Sequence, residues 1–132
     1  MDTLQQRMAV TAHRLIHTVG EDDKQKYGTM AHRLPMLIRR SGLAQALAFV
    51  EARGQAPQHT LLQHLAETIE YDGISNRAEL VAQSRAAHLA DYMLLTRRTM
   101  AALVWYVRFT ESVLKVPKTA DAGLDDSAAA AD

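Results

Sequence analysis

Apolar residues return every three to four positions along most of the chain, and that period predicts helices throughout. Between Asp2 and Val19, the residues Leu4, Met8, Ala12, Leu15, Ile16 and Val19 share one helical face, and Gly20 ends the pattern. Glu21, Asp22 and Asp23 then place negative charge at the start of a second helix, where it complements the helix dipole. The inner face of that helix is Tyr27, Met30, Ala31, Leu34 and Ile38, and Pro35 should kink it or restart it. Ser41-Gly42 predicts a break before a third helix, which turns Leu43, Ala46, Leu47 and Val50 inward and stops at Gly54. Pro57 opens a fourth helix with an apolar stripe of Leu61, Leu62, Leu65 and Ile69. Asp72-Gly73 predicts a turn, and Asn76 followed by Glu79 predicts an N-terminal cap with a box-like pair.

No Gly or Pro interrupts residues 76–115, a run too long for one ordinary globular helix, so a break is expected near Arg85–His88. The last helix, about Leu89 to Lys115, is apolar around most of its circumference. Tyr92, Leu95, Leu103, Tyr106 and Val113 fall on one side, Leu94 and Trp105 on another, and Arg97, Arg108 and Lys115 make the polar strip. Such a helix belongs at the centre of a bundle or against a partner. No segment alternates with period two for long enough to predict a strand. The pattern therefore predicts an all-α fold: one compact bundle of about five to six helices over residues 1–118, with the apolar C-terminal helix at its centre. Residues 119–132, rich in Ala and Asp, carry no core-forming pattern and are expected to be a disordered tail.

Composition narrows the chemistry. A length of 132 residues suits one domain, and 48% hydrophobic with 23% charged residues is ordinary for a globular protein. The chain has no cysteine, which excludes disulfides, a thiol nucleophile and cysteine-ligated metal. No apolar run reaches the roughly 20 residues of a membrane span, and no secretory signal is visible, so the expected location is the cytoplasm. The formal net charge of zero hides an asymmetry. All 15 basic residues but only 11 of the 15 acidic ones lie in residues 1–118, a net of +4 for the body. Of the basic residues 11 are Arg, whose planar guanidinium suits phosphate, although a GC-rich genome also raises Arg content.

Lys26, Arg33 and Arg40 recur every seven residues and should line the flank of the second helix, with Arg39 beside them. Arg7 and Arg14 make a similar stripe on the first helix, and Arg97-Arg98 concentrates charge on the last. Rows of this kind follow a phosphate backbone without reading sequence. The bland alternative is a solvated face whose long side chains cover apolar surface. His13, His17 and Glu21 have zinc-like spacing, but the motif lacks the internal Glu of a metalloprotease helix and Glu21 lies beyond Gly20, which favours a solvated face. Glu67 and Glu70 lack the His at i+3 that a carboxylate-bridged metal bundle requires, since Gly73 stands there. No phosphate loop or nucleophile elbow is present, so no catalytic residue, metal or cofactor is expected. Trp105 with Tyr106 and Arg108 has the composition of a base-stacking platform, against the simpler reading of a core tryptophan.

Two blocks carry something more specific. The first runs from Tyr27 through Leu34-Pro35 to Gly42-Leu43, Gln45, Leu47-Ala48-Phe49; the second holds Tyr92-Met93, Thr96, Ala102-Leu103 and Trp105 through Arg108-Phe109. Together they resemble the small helical subunit of type III-B CRISPR effector (Cmr) complexes, over about residues 5–115. The resemblance implies a compact helical bundle without nuclease activity, whose copies stack into an inner filament beside larger backbone subunits and cradle crRNA and target RNA. It implies other Cmr subunits, further copies of itself and both RNAs as partners, no membrane, and an isolated protein compatible with a monomer. It also implies that Gly42 permits a tight turn while Leu43, Leu47 and Phe49 pack inward. The alternative from the residues alone is a helical protein–protein adaptor with no direct nucleic-acid contact.

Overall fold

The structure, a computed structural model, describes residues 2–118, so the expectation for 119–132 lies outside the described residues. Among the described residues there are six α-helices and one short 3-10 helix, and no strand. They are α1 (Leu4–Ile16), the 3-10 helix Glu21–Asp23, α2 (Lys24–Ser41), α3 (Leu43–Arg53), α4 (Ala56–Thr68), α5 (Arg77–Ala86) and α6 (Leu89–Ser112).

Local chemistry sets most of these ends. Thr3 and Gln6 form a reciprocal capping box, the Thr3 hydroxyl accepting from the Gln6 amide at 3.1 Å and the Gln6 side chain from the Thr3 amide at 2.8 Å. Asn76 caps α5 by accepting from the Glu79 amide at 2.8 Å. The expected return contact is shifted by one residue: the Glu79 carboxylate accepts from the Ser75 amide and hydroxyl, at 2.8 and 3.0 Å. Those hydrogen bonds hold the Glu79 carboxyl below its ordinary range. The chain passes through Pro35 without restarting the helix, since α2 is continuous from Lys24 to Ser41. The chain does break before α6, at residues 87 and 88.

The inner faces read from the period on α1 to α4 form the core. Met8, Ala12 and Ile16 of α1, Tyr27, Ala31 and Leu34 of α2, Leu43, Leu47 and Val50 of α3, and Leu61, Leu62 and Leu65 of α4 are all closed to solvent. Helix α6 packs along α1, α2 and α4, whereas α4 meets α1, α2, α3, α5 and α6, so the two share the centre. The buried side of α6 includes Leu95, Ala102, Leu103 and Tyr106, but also Thr99 and Thr110. In its first turns Leu89 is 73% and Met93 50% exposed.

Two close approaches tie distant segments together. Gly42 adopts φ +85°, the left-handed region that a side chain disfavours, and a Cβ there would lie 3.1 Å from the Tyr92 hydroxyl. That hydroxyl accepts from the Ala44 amide at 3.1 Å, supplying α3 with the N-terminal partner that Gly42 has no side chain to give. At the far end, Lys115 takes φ +61° and reverses the chain after α6. Val116 then donates its amide to Thr110 and offers its carbonyl to His32 Nε2 at 2.8 Å. Gly28 makes room for this return, because a Cβ on residue 28 would stand 2.8 Å from the Val116 Cβ.

Candidate nucleic-acid interface

The eight basic residues singled out from the sequence separate into three groups. Lys26, Arg14, Arg39, Arg40 and Arg97 are exposed. Arg39 and Arg40 sit in the last turn of α2, where their charge complements the helix dipole whatever else they contact. Lys26 stands near the start of the same helix and donates to the Gln55 side chain ahead of α4.

Arg7 and Arg98 form the second group, and the structure gives them internal work. Arg7 Nε donates to both oxygens of Glu70, at 2.9 and 3.1 Å, and its Nη1 donates to the Asp2 carbonyl at 2.8 Å. Arg98 Nη1 donates to the carbonyls of Glu70 at 2.6 Å and Ile69 at 3.2 Å, capping the C-terminal end of α4. Both fasten neighbouring helices to the end of α4, which engages part of each guanidinium inside the fold.

Arg33 stands alone. It is 5% exposed, so the uniform surface stripe Lys26–Arg33–Arg40 is corrected to two exposed ends with a buried middle. Lys26 and Arg40 lie near the ends of α2, while Arg33 lies at mid-helix, where neighbouring elements cover more of the circumference. The seven-residue spacing places the three on one meridian but does not set how much of that meridian is covered.

The stacking platform is corrected as well. Tyr106 is fully buried, and its hydroxyl lies 2.7 Å from Thr68 Oγ1. Trp105 is half-buried, with the Arg108 guanidinium 5.6 Å from its ring centre, the Phe109 ring stacked at 5.8 Å, and Nε1 donating to Gln5 at 3.1 Å. The ring already has neighbours from α6 itself and from α1.

The His13 and His17 rings lie edge to face at 4.5 Å on α1, and Glu21 instead receives a hydrogen bond from Lys24 at 2.8 Å. Among the described residues no group of three or more His, Asp or Glu side chains is placed to hold a metal ion. A polar network does lie inside the bundle, and the sequence patterns did not point to it. Tyr27 Oη and His64 Nδ1 are 2.8 Å apart, and Thr68 Oγ1 donates to the His64 carbonyl at 2.6 Å while meeting Tyr106 Oη. Burial pushes both phenols up and His64 down, so all three stay neutral at physiological pH. The network is equipped to specify packing and has no opening for a substrate, since Tyr27 and Tyr106 are closed to solvent and His64 nearly so.

Comparison with known proteins decides the family. The family model described as CRISPR-associated protein (Cas_Cmr5) matches residues 4–113. The chain belongs to this family. The CRISPR system Cmr subunit Cmr5 of Thermus thermophilus is 34% identical over 116 residues, spanning 87% of this chain and 99% of that one. The crystal structure of a CRISPR-associated Cmr5 family protein from the same organism superposes with a TM-score of 0.73, covering 86% of this chain and 98% of that one at 34% identity. The resemblance drawn from the two sequence blocks is thus borne out, as is the all-helical bundle. The fold gives those blocks a physical meaning, because they touch where the Tyr92 hydroxyl of the second meets Gly42 and Ala44 of the first. Among the described residues no helix is long and apolar enough to cross a membrane.

Proposed function

We propose that this protein is the non-catalytic small subunit of a type III-B Cmr ribonucleoprotein in the cytoplasm, where copies of it stack into the inner filament and help to hold crRNA and target RNA. The single observation that carries the reading is the family match across residues 4–113, in a fold that superposes on a Cmr5 family structure. The relative from Thermus thermophilus bears the name of a Cmr subunit, and 99% of that relative's length is matched here. The net charge of +4 over residues 1–118 agrees with a phosphate-bearing partner. Lys26, Arg14, Arg39, Arg40 and Arg97 are the residues proposed to make those contacts. Phosphate contacts suit a subunit that must accept any guide and any target, since they carry no sequence information.

The test is a Lys26→Ala, Arg39→Ala, Arg40→Ala, Arg97→Ala variant built into the assembled complex, with incorporation verified first. Target RNA should bind more weakly by a similar factor for unrelated guide–target pairs. The salt dependence should flatten by roughly 0.7–0.9 in log–log slope for each phosphate contact removed. An assembled variant with unaltered affinity and unaltered slope overturns the assignment.

A protein-binding adaptor is the second reading, and the exposed Leu89 and Met93 on the first turns of α6 favour it. On that reading Leu89→Ser with Met93→Ser removes the protein from the particle, while the four-site variant leaves RNA affinity unchanged.

A further inference from the structure

On the side of the α2–α6 seam that faces solvent, the two helices leave a cavity of about 250 Å³. Its floor is apolar, with Met36 of α2 facing Val104 and Val107 of α6, and its rim is basic, made by Arg39, Arg108 and Lys118. None of the described residues that line it is acidic. Met36 is 43% and Val104 46% exposed, on two different helices of one seam. Such a slot is complementary to a chain segment with one aliphatic anchor and negative charge on both sides of it.

The protein carries one such segment, and the fold delivers it to the slot. The turn at Lys115, the His32–Val116 hydrogen bond and the Gly28 contact bring the chain back along α2, so that Lys118 itself belongs to the rim. Beyond Lys118 the sequence has no basic residue and one large aliphatic, Leu124, with Asp121 before it and Asp125 and Asp126 after it. Leu124 lies six positions after Lys118, a reach of up to about 20 Å. From Val107 to Met100 the groove floor runs about 10 Å along α6. The family model ends at residue 113, so the segment is an addition to the shared domain rather than part of it.

We infer that residues 119–132 dock intramolecularly in the α2–α6 groove, Leu124 against Met36 and Val104 and its flanking aspartates against Arg39 and Arg108. A second copy of the domain would bring another +4 body to a basic rim, whereas the tail neutralises it. Tethering also gives the tail an effective local concentration in the millimolar range, so weak contacts suffice to hold it. The inference does not rest on RNA binding and stands or falls apart from it.

The absence of cysteine makes the 132-residue chain ready for site-specific labelling. With a nitroxide on Ser127→Cys, paramagnetic broadening of the Met36 and Val104 methyl signals should be several-fold stronger than that of Val10, which is 70% exposed on α1. Adding Leu124→Ser with Asp125→Asn and Asp126→Asn should abolish the difference, and 1 M salt should reduce it, because exposed charge pairs are screened over a few ångströms there. Spectra of the remaining core signals verify that the fold is intact in each variant. Broadening that is equal at Val10, or that survives the triple substitution, overturns the proposal. So does broadening that persists when labelled chains are mixed with an excess of isotope-enriched unlabelled chains and is seen only on the latter, since that outcome makes the occupant a second copy.

Discussion

Helices α2 and α6 meet the rest of the protein in two contrasting ways. Toward α4 they contribute Tyr27 and Tyr106, which lie with His64 and Thr68 in a closed network of hydrogen bonds between 2.6 and 2.8 Å. Toward solvent the same two helices contribute Met36 and Val104, which no described neighbour covers, and the cations Arg39 and Arg108. On the first side, both phenol hydroxyls, the Thr68 hydroxyl and His64 Nδ1 find partners within the fold, so residue identity is dictated by stability. On the second, stability dictates little, and identity is left open to whatever the protein must hold. The difference teaches where substitutions read out folding and where they read out association.

The strongest test of this contrast compares two residues that are neighbours on α6. Tyr106→Ala removes a fully buried ring and one of the two partners of Thr68 Oγ1, and should cost about 3–5 kcal/mol in urea unfolding. Val104→Ala, two positions earlier and half exposed, should cost less than about 1 kcal/mol. Comparable losses at the two sites would erase the distinction. Trp105→Ala should fall between them, at about 2 kcal/mol, because the ring is half-buried and makes one hydrogen bond to Gln5. A loss as large as that of Tyr106→Ala would mean that the α1–α6 seam belongs energetically to the interior.

Proton linkage gives a gentler probe of the buried side. Burial lowers the folded-state value of His64 from its ordinary 6.5, with Glu67 opposing and Arg14 assisting. The unfolded chain therefore takes up that proton first as pH falls. The stability due to neutral His64 is complete above 6.5, declines below it and levels off beneath the folded-state value. Wild type should lose stability across that window more steeply than His64→Gln, by unfolding midpoints measured from pH 7.5 to 5. Parallel profiles would show that His64 is as easily protonated folded as unfolded. The smallest effect is expected on the solvent side, where Arg39→Ala and Arg97→Ala should each change stability by less than about 0.5 kcal/mol. Truncation after Lys118 should likewise leave the thermal midpoint nearly unchanged, because the buried core is complete between Met8 and Val116.

Helix periodicity made much of this fold readable, and its failures have physical causes. On α1 to α4 the apolar stripes named the buried face, since each of those helices buries one side against the same core. On α6 the stripe was blurred from both directions. Thr99 and Thr110 are buried, while Leu94 and Val104 reach solvent, so hydropathy and burial disagree along one helix. The basic residues were harder still. Nothing local to Arg7 or Arg98 announces that both will be drawn to the end of α4, Arg7 by the Glu70 carboxylate 63 positions away. The Tyr92 hydroxyl that serves α3 comes from 48 positions away and equally escapes a period of 3.6. The two family blocks meet through one such distant contact, that of Tyr92 with Gly42 and Ala44, which no helical period reports.

The seat of Trp105 has a spectroscopic corollary. It is the sole tryptophan of the chain, flanked by the Arg108 cation and the Phe109 ring on its own helix, with its indole N–H held by Gln5, 100 positions away on α1. Its fluorescence is thus an intrinsic gauge of the seam between the first and last helices. If a partner, an RNA or a neighbouring copy lifts α1 from α6, the indole loses its acceptor and gains water, and its emission moves to the red without any dye attached. The molecule carries its own reporter on the joint that closes its two ends.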